Sequence, residues 1–93
     1  MKKFSYPAII YYDKDAECYC LAMDDLGIYC DGNTVEEASD RAHSFLNSYL
    51  EFAFSMGADI PEPTPFTDVV TKNPKNLVIL VETALSDKNK ALI

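Results

Sequence analysis

A capped helix start directly after two glycine-containing turns is the feature that most restricts the fold of this chain. Thr34 is a favourable N-cap, and Glu37 follows three residues later, which makes a capping box. Apolar residues then recur at spacings of three and four until Gly57, a natural helix stop. They are Val35, Ala38, Ala42, Phe45, Leu46, Tyr49, Ala53 and Met56. The pattern predicts one long helix with a single buried stripe.

Three strands are predicted before this helix and one after it. Residues 4–12 are aromatic and β-branched, residues 17–23 follow a polar hairpin loop, and residues 28–31 follow a glycine turn. Residues 77–84 form a fourth, strongly apolar strand. The proline-rich segment 57–76 is expected to be extended, apart from one short helical turn.

The predicted order βββαβ defines an α+β fold. A right-handed crossover through the helix would lay strand four parallel to strand one. This predicts a mixed four-stranded sheet of order 3-2-1-4 with one long helix on one face. Ninety-three residues make one small domain. We expect that domain to cover residues 1–85, and residues 86–93 to be a short tail or linker stump without a DNA-binding domain.

Strand one carries apolar side chains on both of its faces, although a single helix covers only one face of the sheet. If Phe4, Tyr6, Ala8 and Ile10 face the helix, the residues between them face away. Off-stripe aromatic residues of the helix either pack under the following loop or face a partner subunit. Uncovered apolar patches mark association, so we predict a homodimer or a tetramer. The predicted contact residues are Ile9, Tyr11, Phe52 and Phe54.

Negative charge is concentrated in one part of the sequence. Residues 13–40 hold nine acidic residues and one base, Lys14, in a chain of net charge −7. A field of this sign repels nucleic-acid phosphates and attracts basic proteins. Ordinary solubility is the alternative explanation.

Membrane, secretory and cofactor-binding roles have little support in the sequence. No run approaches the roughly 20 apolar residues of a membrane span, and the N-terminus is a poor signal peptide, so we expect a cytoplasmic protein. Three cysteines in such a chain argue against a disulfide framework. A zinc site from Cys18, Cys20, Cys30 and His43 is disfavoured, because C-x-C lacks the usual ligand spacing. We therefore predict no metal and no cofactor, and thiols that fill sheet positions.

Several sequence segments, in their order and spacing, resemble the HicB antitoxin family. They are the opening residues 6–9, the acidic hairpin 13–17, the turn 25–27, the helix start 32–38, the helix residues 49–51, the loop 60–63 and the closing apolar strand. The resemblance implies a partial RNase H-like βββαβ domain. It also implies a partner, a small basic HicA-like toxin that cleaves mRNA, whose active site the antitoxin covers. The chain departs from the family in lacking the proline of the usual Leu-Pro-Gly turn and in having Asn33 before the helix cap. A third departure is expected after Ala84, where the remaining residues are too few for the DNA-binding domain that many members carry.

An RNase H-like fold also raises the alternative of a metal-dependent nuclease. Such enzymes hold carboxylates on central strands around two metal ions. Here the acids cluster in loops, and Asp31 and Glu82 would meet only by accident of register, so we predict no catalytic residues and no enzyme activity.

The favoured interpretation is a protein-binding module without direct nucleic-acid or membrane binding. Acidic residues would attract a basic toxin, and exposed tyrosines would supply contact area. The predicted partner-binding residues are Asp13, Asp15, Glu17, Tyr19, Asp24, Asp25, Tyr29 and Asp31. A solitary interaction or scaffold domain of the same fold, without a toxin, is the alternative.

Overall fold

The computed structural model describes residues 2–85 and has the element order predicted from the sequence. The elements are β1 Lys2–Asp13, β2 Cys18–Met23, β3 Ile28–Gly32, α1 Val35–Met56, α2 Phe66–Lys72 and β4 Leu77–Leu85. The seven-residue α2 corresponds to the predicted helical turn in the proline-rich segment. The predicted tail of residues 86–93 lies outside the described residues.

The four strands form one sheet of order β3-β2-β1-β4, as predicted, but the prediction of a mixed sheet was wrong. β4 pairs antiparallel with β1, from Lys2↔Leu85 to Ile10↔Leu77. The other two pairings are also antiparallel. The reason lies in the connection after α1. Residues 57–76 run back along the sheet to the C-terminal end of β1, and β4 starts there. A connection of this length can span the sheet, because an extended chain advances about 3.3 Å per residue.

Both ends of α1 are closed as the sequence indicates. The backbone N–H of Glu37 donates to the Thr34 hydroxyl at 3.0 Å, and the Glu37 carboxylate accepts from the N–H of Asn33 at 3.3 Å. At the other end, Gly57 adopts a left-handed conformation with φ of 65°. The N–H of Ala58 donates back to the carbonyl of Ala53 at 2.9 Å, which is the bond of a Schellman end.

The core lies between α1 and one side of the sheet. Tyr6, Ala8 and Ile10 of β1 are buried there, on the side considered for them from the sequence. Pro7 is buried as well, but on the opposite side of the strand. The buried residues of α1 are Ala38, Ala42, Leu46, Leu50 and Ala53.

The predicted stripe of α1 was displaced by part of a turn. Phe45 and Met56 are 48% and 67% exposed, whereas Leu50, which the stripe omitted, is fully buried. The buried row runs along the i, i+4 direction from Ala38 to Leu50. Small alanines in this row allow the helix backbone to approach the sheet, and Val35, Tyr49 and Phe54 pack partly buried against the same core.

No helix within residues 2–85 has the length and apolar character needed to cross a membrane.

The end of β3 passes close to the start of α1 at Gly32. A Cβ atom added here would lie 2.6 Å from the backbone nitrogen of Ala38 and 3.0 Å from the carbonyl carbon of Glu37. Backbone cannot yield as a side chain can, so we expect Gly32→Ala to lower the free energy of unfolding by about 1–3 kcal/mol. Urea denaturation measures this. An unchanged midpoint would contradict the close approach.

Candidate protein-binding surface

The two sides of the sheet differ in what covers them, and we call the side opposite α1 the outer face. Side chains alternate along a strand, and paired residues on neighbouring strands share a side. Because Tyr6, Ala8 and Ile10 turn toward α1, the alternate residues of β1 and their partners form the outer face. Its members are Lys3, Ser5, Pro7, Ile9, Tyr11, Asp13, Cys18, Cys20, Ala22, Tyr29, Asp31, Val78, Leu80, Glu82 and Ala84.

Large apolar side chains remain open to solvent on the outer face. Tyr11 is 47% exposed, Tyr29 is 65% exposed and Leu80 is 46% exposed. Ile9 and Val78 are half-buried between them. Burying aromatic area of this kind is the main source of binding energy at protein interfaces. The outer face can therefore bind another macromolecule without rearranging the core.

A pocket of about 170 Å³ lies on the outer face. The sheet lines it with Pro7, Ile9 and Ala22, and α2 lines it with Val69 and Lys72. Its remaining lining residues are Asp24, Asp25, Thr64 and Asn73. The pocket thus combines an apolar lining with charged groups of both signs, and it has room for one side chain of a partner.

Two side-chain contacts fasten the proline-rich connection that contributes to this pocket. Asp25 accepts hydrogen bonds from the backbone N–H of Thr64 at 2.8 Å and from its hydroxyl at 2.6 Å. The hydroxyl of Tyr6 donates to the carbonyl of Pro61 at 2.7 Å. Burial, together with the charge of Glu62, raises the pKa of Tyr6, so its hydroxyl keeps its proton and continues to donate. Asp25 and Tyr6 are structural residues of the site.

The other acidic residues of the predicted binding set have different surroundings. Asp13 stabilises its own hairpin turn by accepting from the N–H groups of Asp15 and Ala16 at 2.9 and 3.2 Å. Asp24 accepts from the hydroxyl of Tyr29 at 3.3 Å. This pair places a carboxylate and an aromatic ring side by side.

A cation of α1 modifies the acidic edge of the sheet. Arg41 contacts the carboxylate of Asp31 at 3.2 Å and that of Glu37 at 3.3 Å. It also donates to the carbonyl of Asp31 at 2.9 Å. All of these groups are at least one third exposed, so water screens the pairs and their contribution to stability is small.

The structure brings part of the predicted partner-binding set together. Asp24 and Asp25 line the pocket and Tyr29 lies beside it, whereas Asp13 and Asp31 lie toward the opposite end of the outer face. Tyr19 instead points to the α1 side, where it packs edge to face on Tyr12 with ring centroids 5.1 Å apart. The remaining acids, Asp15 and Glu17, lie in the β1–β2 hairpin loop, where Glu17 adopts a φ of 54°.

The residues predicted for a dimer contact lie on separate surfaces. Ile9 and Tyr11 belong to the outer face. Phe54 packs edge to face on Phe4 of β1, with ring centroids 5.8 Å apart, while Phe52 is 66% exposed on α1. A single flat contact therefore does not include all four residues.

The three cysteines do not form a common cluster. Cys18 and Cys20 share the outer face, whereas Cys30 turns to the α1 side, where its thiol donates to the carbonyl of Ala38 at 3.5 Å. Within residues 2–85, no group of three or more metal-ligating side chains is placed to hold an ion. Burial and the neighbouring Asp31 raise the pKa of Cys30, and burial and Cys20 raise that of Cys18.

A raised pKa leaves less of the nucleophilic thiolate at a given pH. We therefore expect iodoacetamide to modify Cys30 severalfold more slowly in the folded chain than in the urea-unfolded chain at pH 8. Its rate should rise only at a higher pH than that of an ordinary thiol. Peptide mapping by mass spectrometry measures the rate at each cysteine. Equal rates in the folded and unfolded chains would contradict the assigned burial.

The carboxylates considered for metal-dependent hydrolysis are far apart. Asp31 lies on β3 and Glu82 on β4, the two edge strands of the sheet. Three strand spacings of about 4.8 Å separate such strands, whereas a two-metal site needs its metals roughly 4 Å apart. Glu82 instead accepts a long hydrogen bond from Ser5 at 3.5 Å.

Three residues that contribute to the outer face or to its pocket were missing from the sequence-based set. Leu80 has a readable signal, because its spacing from the helix-facing Ile79 and Val81 places it on the opposite side of β4. No local sequence pattern identifies Lys72 and Val69. Their position at the sheet depends on the path of the proline-rich connection, which places α2 there.

Comparison with known proteins adds information to this geometry. A family model described as the HicB_like antitoxin of bacterial toxin-antitoxin systems matches residues 6–90. No curated protein matches the sequence. Among solved structures, the N-terminal domain of Burkholderia pseudomallei antitoxin HicB is similar with a TM-score of 0.74 and 16% identity. That match covers 88% of this chain and 100% of the other.

Two longer structures have the same fold. Burkholderia pseudomallei antitoxin HicB matches with a TM-score of 0.77 and 20% identity, over 89% of this chain and 65% of that protein. A toxin–antitoxin complex from Streptococcus pneumoniae matches with a TM-score of 0.75 and 17% identity, over 94% and 73% of the two chains. At these identities the likeness establishes the fold.

Proposed function

This chain belongs to the HicB-like antitoxin family of bacterial toxin–antitoxin systems, and we propose that it neutralises a small basic toxin by binding it. The proposed toxin is a HicA-like protein that cleaves mRNA, and the antitoxin covers its active site. A toxin–antitoxin complex among the structures of similar fold supports a toxin partner. In this role the chain acts as a stoichiometric inhibitor in the cytoplasm.

The outer face is the surface that we propose for the toxin, and its combination of acidic and exposed aromatic groups carries the proposal. Nine acidic residues lie between positions 13 and 40, against one base. Several of them border the tyrosines of the outer face, as the pairing of Tyr29 with Asp24 illustrates. Acidic groups at the rim increase the rate of encounter with a basic protein, and the exposed rings supply buried area after contact.

Co-expression with the small basic protein encoded beside this gene tests the proposal. We expect that protein to arrest growth when it is expressed alone, and this chain to restore growth and to co-purify with it. An adjacent product that is neither toxic nor retained by this chain would leave the alternative of a solitary interaction domain.

A separate assay examines catalysis. We expect the purified chain to leave RNA uncut in the presence of Mg²⁺ or Mn²⁺. Cleavage that disappears in the double variant Asp13→Asn, Asp31→Asn would overturn the assignment as a binding protein without enzyme activity.

A further inference from the structure

We propose that β4 pairs with β4 of a second copy of this chain, antiparallel and around a twofold axis beside Val81. The two four-stranded sheets would then form one continuous sheet of eight strands. This inference concerns self-association and is independent of the toxin proposed above.

The first observation is the position of β4. In the order β3-β2-β1-β4, one side of β4 pairs with β1 and no described strand pairs with its other side. An edge strand has a row of unpaired backbone donors and acceptors that can pair with another chain. Nine residues, from Leu77 to Leu85, form this row.

The second observation is that β4 lacks the features by which proteins protect an edge. Its sequence LVILVETAL contains no proline, glycine or lysine, and Glu82 is its one charged residue. Leu77 and Leu80 are 49% and 46% exposed. The opposite edge differs, because β3 has only five residues and includes the charged Asp31. Short length and charge are the usual protections of an edge strand.

Charge favours a second copy at β4 rather than at β3. Nine of the fifteen acidic residues lie between positions 13 and 40, on and around β2, β3 and the start of α1. Pairing through β4 would place the two β3 strands seven spacings apart, about 34 Å at 4.8 Å per spacing. The Debye length at physiological salt is only about 8 Å. The acidic edges would therefore repel each other weakly, despite the net charge of each copy.

The register follows from the strand itself. Val81 is the central residue of β4, so the pairing with the greatest overlap places the axis beside it. Leu80 of each copy then lies opposite Glu82 of the other copy. The two Glu82 residues are therefore not paired with each other. Like charges directly opposite one another are destabilising in a sheet. Both residues lie on the outer face, and the two α1 helices would share the other side.

Substitution of Leu80 by an acidic or by a basic residue tests both the contact between the two β4 strands and their register. Leu80→Glu would place two carboxylates opposite each other at two positions, and we expect it to weaken the dimer by about tenfold or more. Leu80→Lys would place an ammonium group opposite Glu82 instead, and we expect the dimer to persist. The position is half exposed, so both variants should fold, which circular dichroism verifies.

Light scattering coupled to size exclusion, at micromolar concentrations of the full chain, measures the result. We expect a dimer for the unchanged chain and for Leu80→Lys, and a shift to monomer for Leu80→Glu. A monomeric unchanged chain would overturn the proposal. Equal weakening by both substitutions would overturn the register. Phe52→Lys is the matched control on α1, and loss of the dimer there, with Leu80→Glu unaffected, would assign the contact to the helix instead.

Amide hydrogen exchange gives a second readout that needs no substitution. Pairing protects backbone N–H groups of residues 77–85 that point away from β1. We expect their exchange to become faster on dilution of the unchanged chain, while the amides of α1 stay protected. Exchange that is independent of concentration would contradict pairing between copies.

Discussion

Replacing Tyr29 by alanine should weaken binding of the proposed toxin by roughly thirtyfold or more, the effect of losing about 2 kcal/mol at an interface hot spot. The reason is the location of the ring. Tyr29 is 65% exposed on the outer face, and its hydroxyl donates to Asp24 at 3.3 Å. The substitution would remove aromatic contact area and release the carboxylate that the hydroxyl orients.

Phe52 is a matched control, because it is an aromatic residue with almost the same exposure, 66%, on α1. We expect Phe52→Ala to change toxin affinity less than about twofold, as at most interface-distant positions. Calorimetric titration of both variants measures the two effects. A large loss with Phe52→Ala and none with Tyr29→Ala would assign the toxin contact to the helix. An unchanged chain that does not bind toxin at all would instead overturn the proposed function.

Replacing Leu46 by alanine should lower the free energy of unfolding by about 2–5 kcal/mol. Leu46 is fully buried, at 0% exposure, within the cluster that joins α1 to the sheet. The substitution removes three carbon atoms and leaves a cavity that the surrounding strands cannot fill completely. This is a large part of the stability of a small domain, for which 5–15 kcal/mol is the ordinary range.

The neighbouring Phe45 provides the control for this prediction. It is 48% exposed, so we expect Phe45→Ala to cost less than about 1 kcal/mol, although the side chain that it removes is larger. Urea denaturation of the two variants measures the difference. Similar losses at both positions would mean that α1 is rotated about its axis relative to the orientation described.

These two adjacent positions also show how far the sequence can be interpreted. Periodicity predicted a helix with both residues buried, and the helix and its caps are confirmed because they depend on neighbouring residues. The orientation of the helix about its own axis depends on what lies beneath it. Rotating the helix about its axis by part of a turn exposes Phe45 and buries Leu50. No local pattern distinguishes the two orientations.

The direction of β4 was beyond prediction for a related reason. The crossover rule assumes that a helix leads directly into the next strand. Here α1 is followed by a long connection that includes α2, and the connection reverses the direction of approach. Its path is determined by contacts such as those of Asp25 with Thr64 and of Tyr6 with Pro61. Both join residues that are far apart in sequence.

Only part of the candidate site could be predicted, because local patterns are visible in the sequence and tertiary contacts are not. The acidic character of residues 13–40 and the exposure of Tyr11 and Tyr29 could be predicted from composition and strand alternation. That Asp25 is committed to a structural contact, and that Tyr19 faces α1 beside Tyr12, depends on tertiary packing. A strand pattern predicts which residues share a side of the sheet. It does not predict which acidic side chains already form hydrogen bonds within the domain.

The antiparallel pairing of β1 with β4 has a consequence for synthesis and turnover of the chain. The pair joins the first and the last of the strands within residues 2–85, from Lys2↔Leu85 to Ile10↔Leu77. A ribosome adds roughly 5–20 residues per second, so β4 is synthesised several seconds after β1. Until then, the edge of β1 that pairs with β4 has no partner strand. During that interval a nascent chain is open to proteases along one flank of β1. In the finished protein, a protease that pulls from the C-terminal side would detach β4 first and return the domain to that vulnerable state.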